Sequence, residues 1–154
     1  MEREEIRKNL AISFFELHDL DAVAHLNESF QGENRILLCL QNVKSPITPS
    51  ELSELLHVSR ARITTTLASL RKKGFVCMDV CKADRRRMHV ALTESGRHQA
   101  EEKNAEVAAR FDALIGGLGE RDALEAIRLL RLSAKALSES TSAPFEASAS
   151  KLIL

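Results

Sequence analysis

The hydrophobic period of this chain changes at Gly74, and that change restricts its possible folds more than any other feature. Upstream, apolar residues recur at helical spacing. Downstream, Val76, Met78 and Val80 alternate with Cys77, Asp79 and Cys81, and Met88, Val90 and Leu92 alternate with His89 and Ala91. A period of two belongs to a half-buried strand, whose successive side chains point to opposite faces. The two runs flank Lys82-Ala83-Asp84-Arg85-Arg86-Arg87 and so predict a hairpin. Helical periodicity resumes after Thr93. The expected fold class is mainly α with a small β-hairpin.

Before the switch, Thr48-Pro49-Ser50-Glu51 is a strong helix start: Thr48 caps, Pro49 fits the first helical position and Glu51 completes a capping box. Leu52, Leu55 and Leu56 give that short helix a buried face. His57-Val58 makes a tight joint, and Ser59 caps a second helix that runs to Lys73 and stops at Gly74. Two short helices, the second basic, followed by a basic hairpin make a winged helix-turn-helix.

Long helical patterns flank this unit. Glu2 to Phe30 carries Ile6, Leu10, Phe14 and Leu17 on one face, with a break near Asp19-Leu20-Asp21. Ile36 to Leu40, inside a helix over 33–43, are apolar on most sides and therefore central. Lys44-Ser45-Pro46-Ile47 is an extended connector. Thr93 caps a helix of about 25 residues with an apolar stripe of Ala100, Val107, Phe111, Leu114 and Leu118. A last helix, from Glu120 to about Ser138, has leucines around much of its circumference. The expected organisation is one domain over 1–138, with a DNA-binding lobe at about 33–93 and dimerisation helices at about 2–30 and 94–138. A loose Ser- and Ala-rich tail follows over 139–154.

Composition narrows the class. Of 154 residues, 44% are hydrophobic, which excludes a wholly disordered chain, and no apolar run approaches the ~18–20 residues that cross a bilayer. No membrane role is expected. The polar N-terminus is unlike a secretory signal, and three cysteines cannot close a disulfide framework, so a cytoplasmic location is expected. The net charge of zero is unevenly spread. From His57 to Arg97 there are ten basic and three acidic residues, a net of +7, and the remainder carries −7. A polyanion is drawn to the middle and repelled by the ends; the same charges also suit a solvated face paired with the acidic flanks.

At 100° per residue, Ile63, Leu67 and Leu70 cluster on one side of the helix over 59–73 and face the core. Ser59, Arg60, Ala61, Arg62, Thr65, Ser69 and Lys72 are the candidate DNA contacts. Small residues allow close approach to a groove, Arg62 suits a bidentate pair with guanine, and Lys72 suits a phosphate. An ordinary amphipathic helix with a wet side has the same pattern. The hairpin shifts the balance, because Arg85, Arg86 and Arg87 repel one another at its tip unless an anion is near. Asp84 braces one of them, leaving the others for a narrow minor groove or its phosphates.

These residues resemble the MarR (multiple-antibiotic-resistance regulator) family. The resemblance lies in Val58-Ser59-Arg60-Ala61-Arg62-Ile63-Thr64, in Leu70-Arg71-Lys72-Lys73-Gly74-Phe75-Val76, and in Asp84-Arg85-Arg86 through Leu92-Thr93-Glu94-Ser95-Gly96. The signature Asp-x-Arg, five residues, then Leu-Thr falls on Asp84, Arg86, Leu92 and Thr93, and the ten-residue step from Gly74 to Asp84 also matches. The resemblance implies a homodimeric winged-helix transcriptional regulator, usually ligand-responsive, with Arg86 entering the minor groove and Asp84 as its brace. Ser59, Ala61, Arg62 and Thr65 would meet the major groove. The chain departs where family members often carry Arg, at Thr65, Ser69 and Met78, so base preference does not carry over.

The resemblance also implies a small aromatic or phenolic effector between the dimerisation helices and the DNA-binding lobe, for which Phe14, Phe15, Phe30 and Phe111 are candidate lining residues. Dimerisation has its own argument. The helix over 94–118 spans about 37 Å, more than a compact winged helix covers, and a second copy is the simplest partner for the surplus apolar faces. Two recognition helices would then meet half-sites of a near-palindromic operator on double-stranded DNA about one turn, ~34 Å, apart.

Cys77, Asp79 and Cys81 share a strand face that His89 joins if the hairpin pairs in register, so a metal- or thiol-sensing variant is an alternative. Cys77 and Cys81 are about 13 Å apart along a strand, too far for a disulfide. Cys39 reads as a core thiol. Another alternative is a winged helix that serves only as a protein-interaction module. No phosphate-binding loop, nucleophile elbow or HExxH motif points to an enzyme, and no cofactor is expected.

Overall fold

The computed structural model describes residues 2–80 and 88–140. Its elements run α1 (Arg3–His18), α2 (Asp21–Ser29), α3 (Gly32–Asn42), α4 (Pro49–Leu56), α5 (Arg60–Lys72), β1 (Val76–Val80), β2 (Met88–Leu92), α6 (Glu94–Leu118) and α7 (Glu120–Ser140). The strands pair antiparallel, with Val76 opposite Leu92 and Val80 opposite Met88. This is a mainly α winged helix-turn-helix. The run over 2–30 is two helices, because Leu20 adopts an extended conformation at the break and caps α2. The last helix reaches Ser140, two residues past the expected end. The rest of the tail, with Leu152, Ile153 and Leu154, lies outside the described residues.

The local start signals act as read. The Thr48 hydroxyl accepts from Glu51 N at 3.3 Å, and Glu51 Oε2 accepts from Thr48 N at 2.8 Å, closing the capping box. Ser59 accepts from Arg62 N at 3.3 Å and Thr93 from Gly96 N at 3.0 Å. His57 takes the left-handed conformation, φ 50°, that turns α4 into α5. The turn is closed by Ser53, whose hydroxyl donates to Val58 O at 2.6 Å.

Around the central α3, Ile36, Leu37, Cys39, Leu52, Leu56, Ile63, Leu67, Leu70, Val76 and Val90 form one buried core. The connector contributes more than a link: Ile47 bridges Val90, whose N–H donates to Ile47 O at 2.8 Å, and adds a single rung to the sheet. Burial against this core orients α5, because its three apolar residues have nowhere else to go.

A tight junction joins α5, β1 and α6. Gly74 has φ 77°, a conformation that side chains disfavour, and it releases the chain from the helix. The Thr93 hydroxyl donates to Gly74 O at 2.6 Å while its backbone N–H donates to Phe75 O at 3.0 Å. Gly96 packs so closely against this loop that an added Cβ would stand 1.8 Å from Phe75 O.

The outer helices extend past the core. In α6, Ala100 and Val107 are buried, but Leu114, Ile115 and Leu118 are exposed. Helix α1 has no buried residue. In α7 the half-buried positions are Ala123, Ala126, Ala134 and Ser138, while Leu124, Leu130 and Leu137 are each more than 60% exposed.

Candidate nucleic-acid interface

With Ile63, Leu67 and Leu70 at most 2% exposed, the opposite side of α5 faces outward. Ser59 and Lys73 are its caps, so the helix proper is Arg60–Lys72. Arg60, Ala61, Arg62, Thr65, Ala68 and Lys72 are exposed, and Ser69 is half-buried. Arg62 and Thr65 therefore lie on one surface within a turn of each other, with Lys72 towards the far end.

Ser69 is engaged elsewhere. Its hydroxyl donates to Glu33 Oε1 at 2.6 Å, and Lys73 Nζ donates to Glu33 Oε2 at 2.6 Å. The Lys73 hydrogen bond and then the Ser69 hydrogen bond hold the Glu33 carboxyl below its ordinary range. This three-residue link fastens the end of α5 to the first turn of α3. Sequence reading missed Glu33, and no local pattern marks a contact across 36 and 40 residues.

The threonines of α5 share one habit. Thr64, Thr65 and Thr66 donate their hydroxyl protons to Arg60 O, Ala61 O and Arg62 O, at 2.9, 3.0 and 2.8 Å. On the hairpin, Val80 and Met88 form the outermost described pair, and both are exposed. Asp84, Arg85, Arg86 and Arg87, together with Cys81, lie outside the described residues.

Of the alternative sensing residues, His89 stands opposite Asp79 in the register. Cys77 Sγ lies 4.0 Å from Asp79 Oδ2 and 3.6 Å from Ala91 O. Among the described residues no cluster of three or more His, Cys, Asp or Glu is placed to hold a metal ion. Cys39 is fully buried, and burial pushes its thiol up to about 11.

Phe14 and Phe15 are 74% and 70% exposed in the single chain, and Phe30 and Phe111 are half-buried. A cavity of about 840 Å³ opens elsewhere, between the end of α3, the connector, the hairpin and the start of α6. Leu40, Val43, Ile47 and Val90 give it apolar walls, Lys44, Arg97 and Glu101 bring charge, and none of the four phenylalanines lines it. Gln41 also lines it, with a buried Oε1 that has no hydrogen-bond partner among the described residues.

Residues 34–111 match the family described as winged helix DNA-binding domain. The chain is 33% identical over 90 residues to the uncharacterized HTH-type transcriptional regulator YdgG of Bacillus subtilis (strain 168), a stretch covering 57% of this chain and 59% of that relative. The match thus spans little more than half of the relative's length. Among solved structures, Streptococcus pneumoniae FabT in complex with DNA superposes with a TM-score of 0.63 at 22% identity, covering 91% of this chain and 100% of that one. A mutant MarR from E. coli superposes with a TM-score of 0.60 at 24% identity, covering 79% and 93%. At these identities the structural likeness is one of fold. Among the described residues no helix is long and apolar enough to cross a membrane.

Proposed function

The chain belongs to the winged helix DNA-binding domain family, and from that premise we propose that it is a homodimeric, MarR-like transcriptional regulator that binds double-stranded DNA in the cytoplasm. α5 enters the major groove of each half-site, with Arg62 and Thr65 towards the bases and Lys72 towards phosphate. The arginines Arg85, Arg86 and Arg87 approach the adjacent minor groove, with Asp84 bracing Arg86. The observation that carries the reading is the opposed burial of α5: its apolar residues are sealed into the core, and a basic, small-residue surface stands free. A helix tied down this way presents its contacts without further ordering cost.

Two copies are the simplest cover for the leucines of α7 and the bare apolar face of α1. An effector reading rests on the cavity beside the hairpin, where the apolar walls of Leu40, Val43, Ile47 and Val90, with Lys44 and Arg97 beside them, support an apolar ligand that carries a hydrogen-bond acceptor or an acidic group. A bound molecule there would touch β2 and α6 together and so bias the angle of the wing. A screen of aromatic and phenolic compounds by thermal shift tests it, with Arg97→Ala expected to weaken any response.

The decisive test is selection of bound sites from a random duplex pool. The expected product is an enriched near-palindrome with half-sites one turn apart. A protein-interaction module would return no enriched sequence, because its charge alone gives only sequence-independent attraction.

A further inference from the structure

The outward face of α5 lacks free hydrogen-bond donors at its middle. Thr65 is exposed at the centre of that face, and its hydroxyl proton is given to Ala61 O at 3.0 Å. The next hydroxyl along, on Ser69, donates to Glu33 Oε1 at 2.6 Å. A β-branched side chain in a helix has few χ1 choices, and the back-bond to the preceding turn selects among them. Thr65 therefore offers a groove its methyl group and an oxygen that only accepts.

The major-groove edges of the bases differ in what they can use. Guanine N7 and O6 and adenine N7 need a donor, which Thr65 does not supply. Thymine presents a C5 methyl, and apolar contact is enough to recognise it. Ala61 and Ala68 precede and follow Thr65 on the same face and add only methyl groups. The Thr65 oxygen can accept from an adenine or cytosine amino group, but with only methyl groups beside it the apolar contact covers more of this face, and that contact suits a methyl. Arg62, with its guanidinium donors, lies three residues earlier, about 4.5 Å along the helix axis, so the two side chains address neighbouring base pairs at a rise of about 3.4 Å per step.

We infer that Thr65 reads a thymine through its C5 methyl, one or two steps from a guanine taken by Arg62. The inference rests on the DNA-binding reading above and adds the class of base.

The test uses the full chain and the site selected from the random pool. Each thymine is replaced in turn by deoxyuridine, which removes the methyl and nothing else. At one symmetric pair of positions affinity should fall about fourfold per half-site, the worth of one buried carbon. Thr65→Val, which keeps a methyl and loses the hydroxyl, should retain that discrimination. Thr65→Ser, which loses the methyl, should bind thymine and uracil sites alike. Equal affinity of the parent for every uracil-substituted site, or unchanged discrimination in Thr65→Ser, overturns the thymine assignment and leaves DNA binding standing. A pool with no enriched site overturns both.

Discussion

The carboxylate of Glu33 and the ammonium of Lys73 meet at 2.6 Å across the gap between α3 and α5. The same carboxylate holds Ser69, so one acidic side chain fixes the position and part of the charge of the recognition helix. Lys73 would otherwise be available to a phosphate. Glu33 therefore steadies the helix while withholding one cation from a polyanion.

Glu33→Gln separates those two roles, since the amide keeps a hydrogen-bonding atom for Ser69 and loses the charge. DNA binding should become more salt-dependent, with the slope of log K against log salt steeper by about one unit as Lys73 is released. Fluorescence anisotropy across a salt series reads it; an unchanged slope would mean that Lys73 does not reach DNA. Glu33 also predicts an acid effect. Its folded pKa is lowered, so its contribution is present above its ordinary value of 4.5 and is lost as pH falls through the lower folded value. The parent should lose stability relative to Glu33→Gln below about pH 4.5.

Gly96→Ala tests the junction. The new Cβ would sit 1.8 Å from the Phe75 carbonyl oxygen, a backbone atom already held by Thr93 N–H. The loop must move, and overpacking of this kind costs about 1–3 kcal/mol. Urea unfolding should show a lower midpoint with little change in slope, and parental stability would deny the close approach.

These cases mark what was legible in the sequence. Caps at Thr48, Ser59 and Thr93 were readable because donor and acceptor are three residues apart, and the hairpin because its period differs from everything around it. Ile36 to Leu40 announced a central helix by being apolar on all sides. Glu33 gave no sign, because its partners are 36 and 40 residues away. Gly96 belongs to the stretch that resembles the family, but its reason is the Phe75 carbonyl, 21 residues earlier. Ile47 pairs through one bridge, and one bridge has no period to read. The cavity beside the hairpin has no sequence signature, because its lining comes from four separate segments.

Cys39 should behave as packing and not as a sensor. With its thiol pushed up to about 11 and no solvent contact, it has almost no thiolate at pH 7–8. The folded protein should leave Cys39 unlabelled by iodoacetamide, and denaturant should expose it, as peptide mass mapping would reveal. Rapid labelling of Cys39 in native buffer would contradict its burial.

The two proposed groove contacts should fail differently. Arg62→Ala should cost ~1–3 kcal/mol of binding and relax preference at one base position. Arg86→Ala should weaken binding to all sequences and lower the salt slope by about one unit. Competition with single-position variants of the selected site distinguishes the patterns, and parental behaviour in both variants would remove the groove assignments.

The apolar faces left on the single chain make the last prediction. Leu130 is 67% exposed on α7, whose half-buried positions are Ala123, Ala126, Ala134 and Ser138, so a charge there should not disturb the protomer. In a dimer it would bury an unpaired carboxylate, at a cost of several kcal/mol. Sedimentation equilibrium of the parent should give about 34 kDa, twice the 17.1 kDa chain, and Leu130→Glu should give the single-chain mass with an unchanged circular dichroism spectrum. Losing the partner removes the second half-site, so affinity for the full operator should fall by about a hundredfold or more while binding to an isolated half-site is preserved. A parent that sediments as a monomer would place the operator-spanning geometry in error, and a dimeric Leu130→Glu would move the interface away from α7.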